Sequence, residues 1–245
     1  MLSRTNRRTR TKLGRQVSVH AYGRHRSQVG ELFEPEGPAV GVAVVLHGGF
    51  WRASYDRHLM NDLCRDLAAY GWRAWNLEYR RLGDGGGWPE TFDDVAAGIA
   101  SLPASKGPTV VIGHSAGGHL ALWAAAQGLV THAVSQAGVA DLHEADRLGL
   151  SRNAARKLLG CAPEEDPERW HTASPAALAP LGVPQLLVHG EEDDEVPAAM
   201  SVSYARRAGE EAELRVLPGV GHYEHLDPQS AAWATAREFL EGLAR

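Results

Sequence analysis

The stretch Gly113-His114-Ser115-Ala116-Gly117 constrains this chain more than any other. Thr109-Val110-Val111-Ile112 before it reads as a buried strand, and Gly118 to Ala126 after it reads as a packed helix. A turn that sharp forces the serine into a strained backbone. Only glycine on either side avoids collision between strand and helix. The strain holds the hydroxyl proud of the sheet, within reach of a base and a substrate. The expectation is a strand–turn–helix with Ser115 as nucleophile.

A chain of 245 residues with 44% hydrophobic content can bury one large core, which suits a single α/β domain. The formal charge of −5 gives no reason to bind nucleic acid or an acidic membrane, and no apolar run approaches the roughly eighteen residues of a membrane span. Cys64 and Cys161 have no C-x-x-C partner and are expected as free thiols in a reducing, cytoplasmic setting. Arg4, Arg7, Arg8, Arg10, Lys12 and Arg15 make residues 1–15 a basic run without acids, expected as a disordered, solvated tail.

From residue 16 to 245 strands alternate with helices. Gln16–Ala21 and Ser27–Phe33 suit an antiparallel pair, and the continuous run Val40–Leu46 suits a strand buried on both faces. Further strands are expected at Arg73–Leu77, Val110–Ile112, Ala133–Ala137, Gln185–His189 and Glu213–Leu217. Helices are expected at His58–Tyr70, from Pro89 to Leu102, and from Pro228 to Leu243. The rhythm implies a mainly parallel central sheet with helices on both faces. About 141–181 breaks it with helical, Pro-rich sequence, expected as a short cap inserted over the nucleophile.

A serine hydroxyl needs a base to take its proton, and the imidazolium so formed needs an anion. Two later loops supply candidates: His189-Gly190-Glu191-Glu192-Asp193-Asp194-Glu195-Val196-Pro197, and Gly219-Val220-Gly221-His222 with His225 beyond. Either Asp193 or Asp194, and either His222 or His225, satisfies that chemistry. His47-Gly48-Gly49-Phe50-Trp51 follows the central strand. There the N–H groups of Gly49 and Phe50, with that of Ala116, are candidate oxyanion donors worth about 3–4 kcal/mol each. His47 is expected to brace this loop by hydrogen bonding. Trp51 and His114 are the candidate substrate-contacting side chains, with packing of the loop as the alternative role for Trp51.

With these parts in the order Ser…Asp…His, the chain resembles the α/β-hydrolases over nearly all of its length beyond the tail. The acid-loop pattern H-G-x-x-D-x-x-V-P of that superfamily falls on His189, Gly190, Asp193, Val196 and Pro197, and so selects Asp193 over Asp194. Gly221-His222 likewise selects His222 over His225. His47-Gly48-Gly49-Phe50-Trp51 is narrower than the H-G-G-G of hormone-sensitive-lipase-like esterases. Together with Gly113 to Ala121 it resembles the kynurenine formamidase (arylformamidase) branch and its carboxylesterase relatives. The resemblance implies an α/β-hydrolase fold, a Ser115–His222–Asp193 triad, and a small ester, amide or aryl formamide as substrate.

No cofactor or metal is implied, since H-E-x-x-H and compact Cys/His clusters are absent. A prolyl-oligopeptidase-like aminopeptidase, an acyltransferase with the same triad, and a non-catalytic ligand-binding homologue are the competing classes. The Gly-rich stretch from Tyr79 to Pro89 is expected as a mobile rim of the pocket.

Overall fold

Val42–Leu46 (β4) is buried along its whole length, and its side chains alternate between two separate apolar clusters. Val42, Val44 and Leu46 point into one cluster and Ala43 and Val45 into the other, as the two-residue period of a strand requires. This computed structural model describes residues 8–10, 16–103 and 105–244.

Among the described residues nine strands form one sheet in the order β1-β2-β3-β5-β4-β6-β7-β8-β9. They are Arg8–Arg10 (β1), Gln16–Ala21 (β2), Val29–Phe33 (β3), β4, Arg73–Leu77 (β5), Thr109–His114 (β6), His132–Gln136 (β7), Gln185–Gly190 (β8) and Ala212–Leu217 (β9). The first three strands are antiparallel neighbours, and β5 through β9 run parallel. Arg8–Arg10, expected within a disordered tail, instead pairs with the start of β2, because an open sheet edge offers backbone partners whatever the side-chain charge. The rest of the expected tail lies outside the described residues.

Helices cover both faces. Glu90–Ala100 (α2), Ala116–Ala126 (α3) and, later in the chain, Ala198–Ala208 supply Phe92, Leu120 and Met200 to the first cluster. Asn61–Ala69 (α1) and the C-terminal helix Ala231–Leu243 supply Leu63 and Trp233 to the second. Between β7 and β8 lie Leu142–Arg147 (α4), Leu150–Leu159 (α5), Pro167–Ala173 (α6) and Pro175–Leu178 (α7). Trp170, Leu158 and Leu159 of this segment are buried in the first cluster.

Ala198–Ala208 (α8) had no counterpart in the sequence expectations, although Met200, Tyr204 and Ala208 recur at helical spacing and Gly209 stops it. The C-terminal helix completes the set as α9.

Candidate active site

Ser115 sits at φ 56°, ψ −119°, between the end of β6 and the start of α3. Its N–H donates to the Gln136 carbonyl at 2.8 Å, and its own carbonyl accepts from His119 N at 3.1 Å, so the turn is held from both sides. The flanking glycines are sterically compelled. A Cβ at Gly113 would lie 2.0 Å from the Gly117 carbonyl oxygen, and one at Gly117 would lie 2.1 Å from that of Leu46. Such strain, of order 1–3 kcal/mol, persists only where the surroundings dictate it.

His222 arrives by a longer route. β9 is three strands from β6, about 14 Å at the usual strand spacing of ~4.8 Å, so the segment after Leu217 must cross back over the end of β8. Glu191 N donates to the Leu217 carbonyl at 2.9 Å and Glu192 N to that of Val220 at 3.0 Å. A Cβ at Gly190 would stand 2.1 Å from the Val220 oxygen, which makes glycine the crossing residue. His114 Nε2 then donates to the His222 carbonyl at 2.8 Å and ties the end of the crossing to β6.

At that position His222 Nδ1 donates to Asp193 Oδ2 at 2.7 Å. The other carboxylate oxygen accepts from Glu195 N at 2.9 Å and Val196 N at 2.8 Å. His189 Nε2 donates to the Val196 carbonyl at 2.8 Å and lies 3.1 Å from Asp193 Oδ2, while its Nδ1 accepts from the Ser201 hydroxyl. Burial alone would raise the Asp193 carboxyl. The His189 and His222 contacts and the Val196 amide outweigh it and hold the group well below the ordinary range.

Asp194 is exposed and takes no part in this network. His225 is fully buried, both ring nitrogens lack a partner, and burial first, then the nearby His189 and His222, lower its pKa to about 3. His114 is likewise held neutral, well below its ordinary value, by burial and by its histidine neighbours.

The loop after β4 lies against the Ser115 turn. A Cβ at Gly48 would be 2.9 Å from the His114 carbonyl oxygen and 3.0 Å from Ser115 Cβ. Gly49 (φ 105°), Phe50 (φ 47°) and Trp51 (φ 56°) all have left-handed backbone. None of the Gly49, Phe50 and Ala116 amides donates to a backbone carbonyl outside regular elements, and Ala116 opens α3, where helix amides have no internal partner.

Beneath the loop, His47 Nδ1 lies 2.8 Å from the Gly48 carbonyl oxygen and Nε2 lies 2.9 Å from Glu78 Oε1. The Tyr79 ring stacks on His47 at 4.5 Å, and its hydroxyl donates to the His47 carbonyl. Burial pushes the Glu78 carboxyl up, but the contacts with His47, Arg81 and the Arg57 amide bring it below its ordinary value.

A cleft of about 210 Å³ opens onto Ser115 and His222, and Gly49, Phe50, His114, Tyr55, Tyr223 and Ser151 are among its lining residues. Ser115 and His222 share this cleft, with no hydrogen bond between the serine hydroxyl and the ring.

Two expectations need correction. Trp51 does not line the cleft: the left-handed backbone at Phe50 and Trp51 turns its ring inward, 1% exposed, edge-on to His119 at 5.2 Å. The Tyr79–Pro89 stretch also contributes no cleft residue. Its charged groups are tied into pairs, Arg80 with Asp94, Arg81 with Glu78, and Asp84 with Arg26. Among the described residues no group of three or more His, Cys, Asp or Glu is placed to hold a metal ion, and no helix is long and apolar enough to cross a membrane.

Comparison with known proteins bears on this arrangement. The BD-FAE family model matches residues 32–207, which is most of the chain and runs from β3 through the nucleophile turn and the acid loop. The chain belongs to the BD-FAE family. This is a family of α/β-hydrolases, and the mostly parallel sheet with helices on both faces described above is that of the α/β-hydrolase fold.

Among solved structures, a truncated carbohydrate esterase from gut microbiota is 20% identical with a TM-score of 0.76, covering 92% of this chain and 94% of that one. Esterase B from Lactobacillus rhamnosis is 19% identical with a TM-score of 0.75, covering 92% and 85%. A thermophilic esterase from the planctomycete Thermogutta terrifontis is 20% identical with a TM-score of 0.72, covering 92% of this chain and 90% of that one. At these identities the likeness establishes the fold. No curated protein matches.

Proposed function

We propose that this BD-FAE member is a serine hydrolase of the carboxylesterase type that cleaves small carboxylic esters, with aryl formamides as a second substrate class. The observation that carries this is one cleft containing both a serine on a strained strand–helix turn and an imidazole held by a buried carboxylate.

In this scheme Ser115 Oγ bonds to the acyl carbon while His222 Nε2 takes its proton, and Asp193 stabilises the imidazolium. The oxygen that gains negative charge faces the Gly49, Phe50 and Ala116 amides. Collapse breaks the bond to the alcohol or amine, which leaves with the proton from His222. Water, deprotonated by the same ring, then releases the acid and restores Ser115. The modest cleft favours small acyl and leaving groups. Support for the ester class comes from its structural neighbours, which include an esterase B inhibited by a tributyrin phosphonate and a Thermogutta terrifontis esterase phosphoramylated by tabun.

Ser115→Ala is the direct test. It should abolish turnover of p-nitrophenyl acetate while leaving the circular dichroism spectrum and melting temperature of the parent. Retention of full activity would dismiss the assignment. Comparing kcat/KM for N-formylkynurenine and short aryl esters then ranks the two substrate classes.

A further inference from the structure

Arg52 lies two residues beyond the candidate oxyanion donor Phe50 and lines the same cleft as Ser115 and His222. Its backbone is fixed: its N–H donates to the Gly49 carbonyl at 3.0 Å, and the residue forms a parallel bridge with Leu82. The side chain reaches the segment between β7 and β8, where Nη1 donates to Ser151 Oγ at 2.7 Å and Nη2 donates to the Ser151 carbonyl. Both acceptors are neutral. Arg57, Arg80 and Arg81 in the same region each pair with a carboxylate. Arg52 has no such partner among the described residues.

A guanidinium offers five N–H donors in a planar fork, so several remain available toward the cleft. Its anchor is unusual in its own right. Ser151 (φ 45°), Arg152 (φ 59°) and Asn153 (φ 56°) follow Gly149 (φ 65°) in a left-handed turn, which costs roughly 1–2 kcal/mol per non-glycine residue. Strain of this kind is held where neighbouring structure dictates it, and Arg52 grips this turn at two atoms.

We propose that Arg52 is a carboxylate-binding residue of the cleft, so that preferred substrates carry a free carboxylate beside the scissile ester or amide. This rests on the hydrolase scheme above and narrows its substrate class. A carboxylate fits better than a phosphate dianion, because Arg52 is the only lysine or arginine among the lining residues. The cleft's one carboxylate, Glu195, comes from the acid loop rather than the oxyanion loop. Tyr55, Leu59 and Tyr223, all exposed, supply the apolar wall for the rest of the ligand.

Titration calorimetry with 3-phenylpropionate and its neutral amide tests this on the intact protein. The acid should bind at least about tenfold more tightly than the amide, a gap that narrows with added salt and closes in Arg52→Gln. Ser151→Ala, which removes a hydroxyl and no charge, should keep the gap. If Arg52→Gln does not fold, Arg52→Lys, which loses the fork but keeps the charge, should show a reduced gap.

Equal binding of acid and amide by the parent protein, or a gap undiminished in Arg52→Gln or Arg52→Lys, would overturn the assignment. Turnover of p-nitrophenyl acetate reports separately on the hydrolase scheme. Turnover without a gap removes only the role of Arg52, whereas a gap without turnover removes only the chemistry.

Discussion

Asp193 and Asp194 are adjacent, chemically identical, and placed in different physical worlds. The first has a fully buried carboxylate that accepts from His222 and from two backbone amides; the second faces solvent. Asp193→Asn should therefore lower kcat by about 10⁴-fold, since an amide there neither neutralises the imidazolium nor enforces its tautomer. Asp194→Asn should stay within about threefold of the parent, as an exposed side chain outside the network. Steady-state kinetics on one aryl ester decides, and the reverse ranking would move the acid to the neighbour.

This scale was only partly legible in the sequence. The strand–turn–helix at Ser115 could be read because the flanking glycines have steric reasons that operate over a few residues. The direction of Trp51 could not, because it depends on left-handed torsions at Phe50 and Trp51 that nothing in those residue types demands. The second contact of His189, beside Asp193, was hidden for a similar reason: it forms only once the loop has folded back on itself.

At the level of elements, the loop after β4 is supported from below by β5 and its continuation, through His47, Glu78 and Tyr79. Removing the Glu78 charge leaves the His47 and Arg57 donors facing an amide that satisfies them less well. Glu78→Gln should cost about 1–3 kcal/mol of stability. It should also reduce kcat more than it raises KM, because the loop's amides matter most once charge has built up on oxygen. Urea denaturation and steady-state kinetics measure the two effects. A variant altered only in KM would show that the brace serves ground-state binding instead.

Strands and helices with strong periodicity were anticipated to within a few residues, as at Arg73–Leu77 and Gln16–Ala21. Ala198–Ala208 was obscured by its alanines and serines, which blur the contrast between faces. The left-handed turn at Ser151 has no signature in residue type beyond Gly149.

Over the whole molecule, burial of neutral histidines links stability to acidity. His119 is lowered to about 4 by burial, and His225 to about 3. In the unfolded chain both titrate near about 6.5. As pH falls below that value the unfolded chain binds protons the folded one refuses, so stability declines by up to about 1.4 kcal/mol per pH unit for each group. Asp193 has the opposite charge type and the same sign of effect at lower pH. Its depressed folded pKa stabilises the fold above about 3.9, and that contribution is lost as pH falls through the folded value. The melting temperature should drop markedly between about pH 7 and about pH 5, and His119→Asn should drop less. An identical drop in that variant would mean other groups govern acid unfolding.

The crossing over the end of β8 gives the molecule a particular vulnerability. The imidazole is delivered by a bridge rather than by the tip of its own strand, and the bridge is as narrow as a hydrogen atom at Gly190. A single methyl group there would lift the span and carry the His222 ring away from the Ser115 hydroxyl that the proposed scheme pairs with it. Damage to turnover can thus originate in a residue with no chemistry of its own.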